Sequence, residues 1–98
     1  MRAEYVRAEY DSQADALSIQ LLEESWDDGD QIDDTYCTVA LAGRRAANVE
    51  LIAPPDHLDL LAIAAERHGL DHEALVAAAQ SALAAPDRPV VLDVLASP

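Results

Sequence analysis

Lysine and phenylalanine are absent from this sequence, and cysteine occurs once. With Cys37 the only thiol, no intrachain disulfide can form, so noncovalent packing alone holds the fold. Without lysine, all six basic residues are arginine. They face 19 acidic residues, for a formal net charge of −13. Such a surface repels phosphate backbones and anionic bilayers, which argues against nucleic-acid and membrane partners. It attracts and steers a basic protein partner. No apolar run approaches the roughly 18 residues of a membrane span. The opening Met1-Arg2-Ala3-Glu4-Tyr5 holds no apolar secretory segment, so a soluble, cytoplasmic protein is expected.

Large apolar side chains are also scarce. Hydrophobic residues make up 51% of the 98, but 20 of them are alanine, which adds helix propensity and little buried area. The length suits one domain, 1–98, able to bury roughly two-thirds of its unfolded surface. A core this thin is often completed by a second copy, so a homodimer is expected.

What is present reads as an α+β fold: a small antiparallel β-meander over 1–53, two helices over 54–87, and a C-terminal strand and tail over 88–98. Arg2-Ala3-Glu4-Tyr5 is repeated as Arg7-Ala8-Glu9-Tyr10. A period of five puts the two tyrosines on opposite faces of a strand, so only the second copy, leading into Asp11, fits the structural role. Asp11 to Asp15 has turn chemistry. Leu17, Ile19 and Leu21 then alternate with Ser18 and Gln20 as a half-buried strand, pairing back as a hairpin. Glu23 to Asp34 holds seven acids and no base, and reads as a solvated connection with a short strand near Gln31–Asp33. Cys37, Val39 and Leu41 share one face of the next strand. Ala42-Gly43-Arg44 turns the chain, and Ala47, Val49 and Leu51 return. After Pro54-Pro55, Asp56 is the expected N-cap of a helix carrying Leu58, Leu61, Ala62 and Ala65, stopped by Gly69. Asp71 caps a second helix with Leu75, Val76, Ala79 and Leu83 in its stripe, ended by Pro86. Pro89 to Leu95 is β-rich, and so late a strand must pair with an edge of the earlier sheet or with another chain.

The pattern Tyr10-Asp11, Ala14-Asp15-Ala16-Leu17, Ile19 and Leu21, followed by a hairpin ending Val49-Glu50-Leu51, resembles the bacterial domain-of-unknown-function family 2283. The resemblance covers Tyr10 to Ile52. The helical remainder looks like an actinobacterial-style C-terminal extension. The resemblance implies a small antiparallel sheet and brings no activity or catalytic residues with it.

The densest chemical feature is Asp27, Asp28, Asp30, Asp33 and Asp34 beside Trp26. Its spacing fails the alternate-position series and closing glutamate of a calcium loop, so a solvated acidic loop or a docking surface for a basic partner fits better than a metal site. Trp26 is either a core plug or an interface anchor. His57, His68 and His72 are the only imidazoles. His68 and His72 have ligand spacing, but Gly69 and Asp71 break the helix between them, leaving ordinary histidines at helix ends. Cys37 reads as a small buried hydrophobe with no cation to activate it. Ser18 and Ser81 lack a nucleophile-elbow context. Asp11 and Asp15 read as turn residues rather than an acid–base pair. Arg44-Arg45, the one local basic pair, needs no more than a hairpin role.

No catalytic residue, metal or cofactor emerges. The leading expectation is a non-enzymatic, homodimeric interaction module, with Trp26, Asp27, Asp28, Asp30, Asp33 and Asp34 as its partner-binding candidates. An antitoxin-like binder of a basic protein comes second, and a metal-dependent enzyme using the acidic loop third.

Overall fold

The computed structural model describes residues 5–22 and 25–93. In chain order the elements are β1 (Tyr5–Asp11), β2 (Ala16–Gln20), β3 (Asp28–Asp33), β4 (Cys37–Ala42), β5 (Arg45–Ile52), a 3₁₀ turn (Pro54–Asp56), α1 (Leu60–His68), α2 (His72–Ala84) and β6 (Val90–Asp93). The strands form one antiparallel sheet in the order β3-β4-β5-β2-β1-β6, an α+β architecture.

This order is not a simple meander, because β2 pairs with β5 and not with β3. The reason lies in the side chains. The β2–β5 register sets Leu17 against Leu51 and Ile19 against Val49, all four fully buried. β3 reads Asp-Gly-Asp-Gln-Ile-Asp and has no such stripe to offer, so it sits at an edge, where a strand needs to satisfy only one neighbour. The chain leaves β2 at a β-bulge. β5 fits one extra residue, Ala47, against β4, and the Ala47 carbonyl accepts from the Leu21 and Leu22 amides at 2.8 and 3.1 Å.

Alternation places Val6 and Ala8 of β1, Leu17 and Ile19 of β2, Cys37 and Val39 of β4, and Val49 and Leu51 of β5 in the core. Of the first tetrapeptide copy only Tyr5 falls within β1; Arg2 to Glu4 lie outside the described residues. Arg7 and Glu9 of the second copy point away from the core. The late strand β6 pairs with β1, Val6 against Leu92 and Ala8 against Val90, so the edge it needed is in its own chain. Leu95 lies outside the described residues.

Both helices cover one face of the sheet, α2 over β1 and β2, α1 toward β3 and β5. Ala64, Ala65, Ala78, Ala79 and Ala82 are buried, with Leu61 and Leu75 the large fully buried side chains between them. Small side chains bring helix backbones close to the sheet, which is how an alanine-rich chain fills its core. Gly69 ends α1 at φ 66, in the left-handed conformation. Asp71 caps α2, its carboxylate accepting from the Ala74 amide at 3.2 Å. The start of α1 differs from expectation. Asp56 belongs to the 3₁₀ turn and caps nothing; the helix begins four residues later, after Asp59. Ala53 takes a left-handed φ of 49 before two prolines, and this tight entry uses up the residues in which Asp56 would have capped.

Candidate functional site

The acidic segment does not act as one unit. Its side chains divide into those used within the fold and those facing solvent.

Asp30 is used within the fold. It stands opposite Val39 in the β3–β4 register, which gives it the parity of the core face. There it meets the C-terminal turn of α1. His68 Nε2 lies 2.8 Å from Oδ2, and Arg67 Nη1 donates to both carboxylate oxygens at 3.1 Å. A carboxylate only accepts, so Nε2 carries the proton. The His68 bond, followed by the Arg67 bonds, lowers the Asp30 pKa below its ordinary value. His68 is only 13% exposed, so it is an inter-element tie rather than an ordinary histidine at a helix end.

Asp33 is also used. A bulge at Ile32 shifts the register so that Asp33 faces Cys37. Its Oδ1 accepts from the Thr35 and Tyr36 amides at 2.9 and 3.0 Å and closes the β3–β4 turn. The Thr35 amide, then that of Tyr36, holds its pKa low. Beside this turn, Tyr36 stacks on His57 with ring centroids 3.8 Å apart and planes inclined by 15°. His57 Nδ1 donates to the Ala53 carbonyl at 2.9 Å, closing the 3₁₀ turn across its two ends.

Trp26, Asp27, Asp28 and Asp34 remain exposed. Trp26 is 57% exposed, which removes the core-plug alternative. The Asp27 amide donates to the Leu41 carbonyl at 3.1 Å, fixing this approach to the end of β4. The Asp28 carboxylate accepts from the Gly29 amide at 2.8 Å.

Most of the remaining candidates have structural partners. Cys37 is buried, and burial, reinforced by Asp33 and Asp30, pushes its thiol up to about 11. Asp11 accepts from the Gln13 and Ala14 amides. Asp15 accepts from the Tyr10 hydroxyl at 2.6 Å, which raises the Tyr10 pKa. Ser18 exchanges hydrogen bonds with Asn48, an amide that cannot serve as a base. His72 is exposed at the start of α2, beyond the Gly69 break. Arg44 completes the turn begun by Gly43, whose φ is 65, and Arg45 opens β5 opposite Ala42. An open cleft of about 520 Å³ lies on the uncovered face, lined by Glu9, Asp11, Ser18, Glu50 and Asp87 among others. Two of its acids are occupied: Asp11 in its turn, and Asp87 by the Ser12 hydroxyl and amide, which lower its pKa in that order. Among the described residues, no group of three or more His, Cys, Asp or Glu is placed to hold a metal ion. No described helix is long and apolar enough to cross a membrane.

Sequence reasoning missed the Asp30–Arg67–His68 cluster. Its members are 37 and 38 residues apart, and no local spacing announces it. The available signal was an Asp at an alternating strand position together with an adjacent Arg-His pair at a helix end. No protein-family model matches the chain, and no curated protein or solved structure matches it either.

Proposed function

We propose that this protein is a non-enzymatic, homodimeric interaction module that engages a basic protein partner at its acidic edge. The supporting observation is Trp26, 57% exposed at the entry to an edge strand and followed directly by the exposed carboxylates of Asp27 and Asp28. Exposed tryptophan is uncommon on a surface with no partner and frequent where binding energy concentrates. The two sheet edges differ in chemistry and so in partner. Around β3, Asp27, Asp28 and Asp34 would repel a second copy of themselves. β6 begins Val90-Val91-Leu92, with Val91 61% exposed, and suits pairing with a second copy. Binding that covers the cationic site of a basic nuclease, in the manner of an antitoxin, is the second reading, favoured by the net charge of −13. The relation of Tyr10–Ile52 to domain-of-unknown-function family 2283 stands as part of this proposal; it brings no catalytic role.

Light scattering coupled to size exclusion tests the dimer. A dimer in the wild type that Val91→Arg converts to a folded monomer supports it, and a wild-type monomer at high concentration refutes it. For the acidic edge, affinity for a basic protein such as a cationic ribonuclease should fall in Trp26→Ala with Asp27→Asn and Asp28→Asn. Unchanged affinity removes this edge from the reading.

A further inference from the structure

We infer that the free edge of β3 takes an extended, arginine- or lysine-rich peptide segment as a seventh strand of the sheet. This rests on the basic-partner reading above and adds the mode of recognition. β3 pairs with β4 on one side and with no described strand on the other. An unpaired strand edge is a template for β-augmentation: backbone hydrogen bonds give affinity, and side chains on either side give selectivity. The usable template is short. Regular pairing runs from Asp28 to Gln31 and ends at the Ile32 bulge.

Charge decides the occupant. Asp30, the inward acid, is already matched by Arg67 and His68, so the strand stays anchored to α1 and its outer groups remain for a partner. Asp27 and Asp28 stand immediately before and at the start of the template, and Asp34 follows the last residue of β3, past the bulge. A second copy would meet these carboxylates with its own, and a nucleic acid with its phosphates. A cationic strand meets them with complementary charge. Trp26 lies two residues before β3 and is 57% exposed, an aromatic ring on which an arginine can stack. Asp28 adds a release step. Its carboxylate holds the Gly29 amide, and a guanidinium that takes the carboxylate frees that N–H for an incoming carbonyl.

Trp26 is the only tryptophan, so its emission reports on this edge directly. The probe is an alternating Arg-Val octapeptide, titrated into the full chain beside its fully N-methylated counterpart, which keeps every charge and loses every backbone donor. The unmethylated peptide should saturate the Trp26 signal, and N-methylation should weaken binding by at least about tenfold, the value of one or two lost backbone hydrogen bonds. Asp27→Asn with Asp28→Asn should weaken the unmethylated peptide, and hydrogen exchange at Asp28–Gln31 should slow in the complex. Equal affinity for both peptides overturns strand addition while leaving a basic partner in place. Binding of neither peptide overturns both readings. An emission change on raising protein concentration alone makes a second copy the occupant and also overturns the inference.

Discussion

Asp30 on β3 and His68 at the end of α1 are 38 residues apart in sequence and 2.8 Å apart in space. Together with Arg67, this contact fastens the least apolar strand of the sheet to the helix layer. An inward-pointing acid is an unusual way to seat a strand. It works here because the helix end that meets it carries the two cationic or hydrogen-bond-donating side chains, Arg67 and His68, at the negative pole of the helix dipole.

The contact predicts a pH signature. His68 and Arg67 lower the folded-state pKa of Asp30 below its ordinary 3.8, while the unfolded chain keeps that value. Between the two values the unfolded chain binds more protons, so stability rises with pH through this window and is fully present above 3.8. It is lost as pH falls through the folded value. Urea midpoints measured from neutral to strongly acid pH should therefore drop more steeply on the acid side in the wild type than in Asp30→Asn. A residual slope will remain from Asp33 and Asp87, whose pKa values are also held low. An Asp30→Asn profile parallel to the wild type would show that the tie contributes nothing.

Cys37 should be chemically silent in the native state. Its thiol is buried and pushed to about 11, so almost none is thiolate at neutral pH. Labelling by an aromatic disulfide reagent should be slow without denaturant and immediate in strong denaturant. Labelling of the folded protein at the rate of a free thiol would contradict the burial of Cys37 in the core.

The strands most visible in the sequence were those with strict alternation. Leu17-Ile19, Cys37-Val39 and Val49-Leu51 all face the core, while Ala47, read into the same stripe, is buried at the β5 bulge. Gly69 and Asp71 also act where their local chemistry points, since a left-handed stop and a side-chain cap are set by single residues. What stayed hidden depends on partners distant in sequence. Pairing of β2 with β5, the seating of β3 on α1, and the stacking of Tyr36 on His57 join residues that no local window contains. From the sequence β3 reads as mostly loop because its polar residues lack a stripe. It is a strand because β4 offers a paired edge and Asp30 has counter-charges on the helix. In the candidate site, the acidic composition was legible. Which acids are free and which are committed was not, because that depends on Arg67, His68 and the Thr35–Tyr36 amides.

The two helix signals should carry measurable energy. Asp71→Ala removes the bond to the Ala74 amide and should cost about 1 kcal/mol. Gly69→Ala places a Cβ in open space, but at a φ of 66 it should still cost about 1 kcal/mol through backbone strain alone. Gly69 and Asp71 are neighbours in one turn, so each substitution is read separately by urea denaturation. A neutral Gly69→Ala would mean that the α1–α2 turn relaxes to another conformation.

The sharpest contrast is between Ile19 and Trp26. Ile19 is fully buried between β1 and β5, and Ile19→Ala should cost about 2–5 kcal/mol through lost burial and the cavity left behind. Trp26 is the larger side chain, yet at 57% exposure its removal should change stability by no more than about 0.5 kcal/mol. Urea denaturation followed by far-ultraviolet circular dichroism compares them without relying on the tryptophan signal. If Trp26→Ala destabilises the fold as much as Ile19→Ala does, the indole is part of the core and the case for a binding edge loses its anchor. If stability holds while affinity for a basic partner falls, the side chain serves the surface, where an acidic sheet edge and an exposed aromatic have a common use.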